Sequence, residues 1–110
     1  MRVKRPTELQ DLLGYIFLCA PDQYPVEDYL PPDKQPTNAS EFATAFEALQ
    51  RFTDAARTEE GKEKLRECER NLRVAYELFE HGNEIEGGKM VQETEQMFLR
   101  ARKYIPISDE

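Results

Sequence analysis

Apolar residues recur at steps of three and four along four segments of the chain, the spacing of one buried face of an α-helix. In the first segment, Thr7 with Gln10 predicts a helix start, because an N-cap hydroxyl pairs with a Gln or Glu three residues later. Pro21 predicts the end, since proline disfavours helical geometry in the residue before it. The apolar positions of this segment are Leu9, Leu12, Leu13, Ile16, Phe17 and Ala20.

The second and third segments also begin at polar residues that are typical of helix N-termini. Asn38 with Glu41 predicts the start of the second helix, and Thr58 predicts the start of the third. The apolar face of the second helix is Phe42, Ala45, Phe46, Leu49, Phe52 and Ala56, so we expect it to form the centre of the core. The apolar face of the third helix is Leu65, Cys68, Leu72, Ala75, Tyr76 and Phe79.

A short polar break separates the third helix from a fourth. Gly82 suits the left-handed position that follows a helix, and Asn83 with Glu86 predicts the next helix start. The fourth helix is predicted from about Glu84 to Tyr104, with Pro106 beyond it. Its apolar positions are Ile85, Met90, Val91, Met97, Phe98, Ala101 and Ile105. Because the break is so short, the last two helices should pack as an antiparallel hairpin.

The sequence predicts an all-α fold, because no segment alternates apolar and polar residues with a period of two. We expect a single helical domain over residues 1–110, arranged as a four-helix bundle with a C-terminal antiparallel hairpin. Residues 1–6 and 106–110 are predicted to be flexible tails.

A long segment over residues 21–38, which we call the connector, joins the first two predicted helices. It holds five prolines and four carboxylates, together with apolar residues that a disordered linker would lack. We interpret it as an extended segment lying across the bundle, with Asp22, Glu27, Asp28 and Asp33 facing outward. The alternative is a structural strap with no binding role.

The charge balance restricts the classes of partner. The 110 residues carry a formal net charge of −7, which argues against direct nucleic-acid binding, because phosphates are normally met by clustered Lys and Arg. It is compatible with a basic protein partner, or it serves solubility alone. The most apolar window, "LLGYIFLCA", is too short to span a bilayer. We therefore expect a cytoplasmic protein with reduced thiols and no membrane contact.

The residues that could perform catalysis or bind a metal form no recognised motif. Cys19 and Cys68 belong to no CxxC pair, and with His81 as the single histidine they leave no zinc-ligand set. Both cysteines fall on apolar stripes and His81 falls at a helix end, so a catalytic Cys–His pair is the weaker interpretation. No Glu-x-x-His or EF-hand spacing occurs. We expect neither an enzyme nor a bound metal or cofactor.

Acidic residues concentrate in a second region besides the connector. From Glu77 to Leu99 the chain has six glutamates and a single cation, Lys89. Carboxylates beside tyrosines are typical of surfaces that bind cationic proteins, although a solvated helix face is the simpler alternative. The candidate partner-binding residues are Asp22, Tyr24, Glu27, Asp28, Tyr29, Asp33, Glu80, Glu84 and Glu86.

Three stretches, "LGYIFLCAPDQYPVEDYLPPDKQPT", "AFEAL" and "GNEIEGGKMVQETEQMF", together resemble small helical immunity proteins encoded beside polymorphic bacterial toxins. These belong to contact-dependent inhibition, type VI and Rhs-type systems. The resemblance covers about residues 13–98 and transfers no binding residue. It implies a protein that binds a basic toxin domain, such as a nuclease, and blocks its active site inside the producing cell. Such a binder should be a monomer. The alternative is a small self-associating helical scaffold.

Overall fold

The computed structural model describes residues 3–106, and over that range it contains four α-helices. They are α1 (Pro6–Cys19), α2 (Asn38–Ala55), α3 (Glu59–Glu80) and α4 (Glu84–Ala101). Two short 3₁₀ turns lie at Pro32–Lys34 and Arg102–Tyr104. No strand occurs in residues 3–106, so the prediction of an all-α fold with four helices is confirmed.

The core lies between the apolar faces of the four helices. α3 packs against α2 and α4, and α1 packs against α2 and α4. Phe42, Phe52 and Phe98 are among the largest fully buried side chains, and the rings of Phe52 and Phe98 stack with centroids 6.3 Å apart. Aromatic pairs of this geometry add stabilisation beyond their buried area, so this contact ties α2 to α4.

α1 begins two residues earlier than its sequence pattern indicates. The predicted N-cap at Thr7 is wrong, since the cap residue is Arg5 and Pro6 is the first helical residue. Proline suits that position, because the N–H it lacks would have no helical partner. The carboxylate of Glu8 accepts hydrogen bonds from the backbone amides of Arg5 at 3.0 Å and Lys4 at 3.2 Å.

α2 also begins with a different cap from the predicted pair of Asn38 and Glu41. The N-cap is Thr37, whose hydroxyl accepts a hydrogen bond from the amide of Ser40 at 3.0 Å. The Ser40 hydroxyl accepts one from the Thr37 amide at 2.9 Å. A serine therefore performs the reciprocal role that Glu or Gln usually has, and Glu41 is released from it.

The turn between α3 and α4 follows a common C-terminal motif. Gly82 has a φ of +80°, as predicted, and Asn83 donates its amide to the carbonyl of Leu78 at 2.8 Å. Asn83 precedes α4, but its side chain makes no capping hydrogen bond, so the predicted pairing with Glu86 is wrong. The reason is that its backbone, at φ −88° and ψ 66°, is not in the extended conformation typical of a capping residue.

The two ends of α4 differ from their predicted positions. Ile85, predicted to lie on the apolar face, is 76% exposed, because it precedes Gly87, where α4 meets the ring of Phe79. At the other end the regular helix stops at Ala101 and tightens into the 3₁₀ turn. Tyr104 in that turn packs so closely on α3 that a Cβ at Gly61 would lie 2.6 Å from the Tyr104 Cβ.

The described chain ends are packed. Val3 and Pro6 are buried, and the guanidinium of Arg51 donates a hydrogen bond to the carbonyl of Val3, so residues 3–6 contact α2. Residues 1, 2 and 107–110, which complete the two predicted tails, lie outside the described residues. Among the described helices, none has the length and hydropathy needed to cross a membrane.

Candidate protein-binding surface on the connector and the hairpin tip

The connector, predicted over residues 21–38, occupies residues 20–37 between α1 and α2, and Tyr24 attaches it to both helices. The Tyr24 ring packs on Tyr15 with centroids 5.5 Å apart, and its hydroxyl donates a hydrogen bond to the Asn38 side-chain oxygen at 2.9 Å. Burial raises the pKa of Tyr24, so the hydroxyl remains a neutral donor at physiological pH. One part of the connector is therefore a structural strap.

A second attachment closes the outer part of the connector into a loop. The side-chain nitrogen of Gln35 donates to the carbonyls of Glu27 and Leu30, both at 2.8 Å. The side-chain oxygen of Gln35 accepts from the amide of Glu27 at 2.7 Å. These three bonds fix residues 27–35 relative to each other, so the carboxylates in this loop are held in defined positions.

Most of the connector's carboxylates face solvent. Asp22, Asp28 and Asp33 are exposed, whereas Glu27 is half-buried. Within residues 3–106, no ion pair joins any of these four acids to a lysine or arginine. Their charge is therefore available to an external partner.

The two predicted tyrosines have different surroundings. Tyr29 is 79% exposed, whereas Tyr24 is half-buried against Tyr15. Only Tyr29 is thus presented to solvent as an aromatic side chain that a partner could cover.

The hairpin tip, which we define as residues 80–86, holds the other predicted acids. Glu80, Glu84 and Glu86 are all exposed. Glu86 forms an ion pair with the Lys89 ammonium at 3.6 Å. An exposed pair of this kind contributes little, about 0–1 kcal/mol, so it does not prevent Glu86 from exchanging its partner.

The connector and the hairpin tip lie at the same end of the molecule. The connector leads into the start of α2, where the Phe42 ring packs 5.0 Å from Tyr76 and 6.0 Å from Phe79 on the last turns of α3. The Phe79 ring in turn contacts Gly87 at the start of α4. Aromatic packing therefore joins the base of the connector to the base of the hairpin tip, and the two acidic segments share one end.

Cations gather at the opposite end. There the Lys62 ammonium donates hydrogen bonds to the carbonyls of Thr53 and Asp54, at 3.0 and 3.1 Å. The positively charged residues in the elements that meet at this end are Lys4, Arg5, Arg51, Arg57, Lys62, Arg102 and Lys103. Acids occur in the same elements, among them Glu8, Glu47, Asp54, Glu59 and Glu60, and Glu8 and Glu47 pair with Arg5 and Arg51. The charges of this end are therefore mixed, whereas the connector and the hairpin tip carry mainly carboxylates.

Glu41, which the sequence pattern did not identify as a site residue, lies at the same end as the connector. Its side chain is only 4% exposed, and it lines a cavity beneath the connector together with Tyr15 and Gln35. Burial raises the pKa of the Glu41 carboxyl. The sequence pattern placed Glu41 in a helix cap with Asn38, and nothing in the sequence indicated that the connector folds over it.

The candidate catalytic groups have surroundings that suit structural roles. Cys68 is buried, and burial raises the pKa of its thiol to about 12; burial also raises the pKa of the half-buried Cys19 thiol. Both thiols are therefore protonated and weakly nucleophilic at neutral pH. His81 is exposed at the end of α3. Across residues 3–106, no group of three His, Cys, Asp or Glu side chains is arranged to hold a metal ion.

Comparisons of the chain with protein-family models, with curated proteins and with solved structures returned no match.

Proposed function

We propose that the chain is an acidic protein-binding module that acts as an immunity protein, occluding the active site of a basic toxin domain such as a nuclease. The observation that carries the proposal is the set of exposed connector acids, Asp22, Asp28 and Asp33, none of which has an ion-pair partner in residues 3–106. A carboxylate without an internal ion pair attracts an external cationic surface with its full negative charge, whereas a carboxylate paired internally would not.

The proposed mechanism is occlusion by charge mimicry. A nuclease active site binds phosphates with cationic side chains, and the acids of the connector and the hairpin tip would take the place of those phosphates. Tyr29 would supply an aromatic contact at the centre of the interface, since tyrosine gives a large contact area at a low entropy cost. A standard interface of this kind buries about 1,600 Å² in total.

The four-helix bundle serves in this proposal as a rigid base for the connector. Tyr24 attaches the connector to α2 through a hydrogen bond of 2.9 Å, and Gln35 closes the outer loop of the connector with bonds of 2.7–2.8 Å. Prolines further restrict its unbound conformations. A binding loop that is already ordered loses less conformational entropy on association, so more of the contact energy appears as affinity.

A growth assay tests the proposal. A gene for a large secreted protein with a variable C-terminal domain should lie beside the gene for this chain. We expect that C-terminal domain to arrest growth when it is produced in the cytoplasm, and co-production of this chain to restore growth. The purified proteins should form a complex of one copy each. Absence of such a neighbour, or growth arrest that persists despite a soluble, folded chain, would contradict the proposal.

A second candidate function, a self-associating scaffold, draws support from the exposed apolar side chains. Leu18, Val26 and Ile85 are each about three-quarters exposed, and self-association would cover them. Sedimentation at micromolar concentration separates the two functions. A monomer is expected of a binder, whereas a stable dimer that buries these residues would favour the scaffold.

A further inference from the structure

α1 and α4 lie side by side, and two contacts fix their register. The Gln10 side-chain nitrogen donates to the Glu95 carbonyl at 2.9 Å, and a Cβ at Gly14 would lie 2.9 Å from the Glu95 carboxylate. An α-helix rises about 1.5 Å per residue, so Leu18 in α1 and Gly88 in α4 both lie about 10 Å beyond this level, toward the connector. Leu18 and Gly88 are therefore at nearly the same height in the bundle.

The two helices leave a groove between them at this height. Gly88 precedes Glu95 by seven residues, which is about two helical turns, so it lies on the face of α4 that is turned toward α1. A Cβ added at Gly88 would meet no described atom within 4 Å. At Gly14 the corresponding space is already occupied by the Glu95 carboxylate. The interface between α1 and α4 is thus closed at Glu95 and open at Gly88.

Exposed apolar side chains flank the open part of this groove. Leu18 and Ile85 are each about three-quarters exposed, and Phe17 is 38% exposed. Phe17 follows Gln10 by seven residues, so it lies on the face of α1 that meets α4. Ile85 precedes Gly88 by three residues and is its neighbour on the surface of α4. Both walls of the groove therefore present apolar surface to solvent.

The helices that form the groove carry an excess of carboxylates. α1 contains Glu8 and Asp11 and no lysine or arginine. α4 contains Glu84, Glu86, Glu93 and Glu95, with Lys89 and Arg100 as its cations. The Lys89 ammonium pairs with Glu86 at 3.6 Å, and Arg100 lies in the last turn of α4, away from the open part of the groove. A ligand in the groove would meet apolar walls with a negative border.

We propose that this groove receives an amphipathic helix of the partner protein, with an apolar face and lysine or arginine on its flanks. The inference rests on the proposed function, because it names the element of the toxin domain that the chain would hold. The apolar face would cover Phe17, Leu18 and Ile85, which is the usual way in which a helix docks in a groove. The groove opens at the end that carries the connector, so one partner would contact both surfaces.

Charge favours this occupant over a second copy of the chain. Two copies joined symmetrically through their grooves would bring the same carboxylates face to face, because each residue of such an interface meets its own surroundings on the partner. Like charges placed in this way oppose association. A helix with basic flanks is instead attracted by the negative border.

The test uses a designed peptide of about four helical turns as the probe. Its leucines lie on one face at helical spacing, with lysines beside them and alanine or glutamine elsewhere. Amide chemical shifts of the chain, recorded by NMR, should move saturably at Phe17, Leu18, Gly88 and Gln92. A peptide of the same composition with its leucines scattered around the helix should bind at least tenfold more weakly, and so should a peptide with glutamate in place of lysine. Equal binding of either control peptide would overturn the inference.

Variants locate the binding within the groove. Gly88→Met places a long side chain in the open space and should weaken peptide binding at least tenfold without lowering the melting temperature. Leu18→Gln, at an exposed position, should weaken it about threefold. Val74→Gln is the matched control, because it also removes an exposed apolar side chain but lies on α3, outside the groove, and it should leave binding unchanged. Unchanged binding in the first two variants, or equal weakening by all three, would overturn the assignment to the groove.

The growth assay separates this inference from the proposed function. Gly88→Met should fail to restore growth, whereas Val74→Gln should restore it fully. If the unmodified chain and Gly88→Met both neutralise the toxin, the groove inference fails and the proposed function stands. If the peptide binds the groove but the unmodified chain does not relieve growth arrest, the groove is a docking site for a cationic helix and the immunity function is refuted.

Discussion

The two connector tyrosines offer a direct test of which part of the connector is structural. Tyr24→Phe removes the hydrogen bond to Asn38 and keeps the ring on Tyr15. A hydrogen bond of this kind contributes about 0.5–1.5 kcal/mol net, so the free energy of unfolding should fall by about 1 kcal/mol. Tyr24→Ala also removes the ring contact, worth about 0.5–1.5 kcal/mol beyond its buried area, so we expect a loss of about 2–3 kcal/mol.

Tyr29 is the matched control, because it lies in the same connector but is 79% exposed. Tyr29→Ala should change the free energy of unfolding by less than about 0.5 kcal/mol. Urea unfolding followed by circular dichroism measures all three variants. The slope against denaturant should stay constant, so that midpoints can be compared. If Tyr29→Ala costs as much as Tyr24→Ala, the division of the connector into an anchored part and a displayed part is wrong.

Three further predictions concern packing, loop closure and pH. Gln35→Ala should accelerate hydrogen exchange of the Glu27 amide, because that amide loses its acceptor. Gln23→Ala should leave the exchange rate unchanged. Equal exchange rates in the two variants would contradict the closure of the loop by Gln35. Gly61→Ala should destabilise by about 1–3 kcal/mol, because its Cβ would lie 2.6 Å from a Tyr104 carbon. Gly88→Ala, where the Cβ would meet open space, should instead stabilise the fold by up to about 1 kcal/mol. Thermal unfolding measures both variants, and a loss of stability in both would contradict this account. Burial raises the folded-state pKa of Glu41 above its ordinary value of 4.5. The contribution of Glu41 to the free energy of unfolding should therefore fall as the pH rises from 4.5 through the raised pKa. Glu41→Gln should flatten that part of the melting temperature profile against pH, and an unchanged slope would contradict the assignment.

Helix boundaries were predictable from the sequence where the signal is local. The hydroxyl of Thr58 caps α3 by accepting a hydrogen bond from the amide of Gly61, and Gly82 takes the left-handed conformation after α3. Both positions agree with the sequence pattern. The pair Thr7 and Gln10 misplaces the start of α1, because it puts Pro6 before the helix, whereas a proline also fits the first helical position.

The apolar stripes predicted the core better than they predicted its limits. Ile85 continues the spacing of α4 but lies beyond the point where α3 covers that helix, so it is exposed. Phe17 continues the stripe of α1 and is also partly exposed, near the helix end. Periodicity identifies a face of a helix, but the extent of burial along that face depends on where the neighbouring helix stops.

The candidate surface was only partly visible in the sequence. Clusters of acids in the connector and after Glu77 are evident from composition, but their position at one end of the molecule follows from tertiary packing of Phe42 and Phe79. The roles of Gln35 and Glu41 have no sequence signature, because each depends on the connector folding over the start of α2.

The central claim is that exposed connector carboxylates meet a cationic partner, and the association rate constant with the toxin domain tests it most directly. Asp22→Lys/Asp28→Lys should slow association at least tenfold at low salt, and the difference should shrink as salt is added. Asp54→Lys/Glu67→Lys is the control, with the same change in net charge at exposed acids away from the connector. We predict that it stays within about threefold of the unmodified chain. Equal slowing in both double variants, or no slowing in the first, would contradict the account.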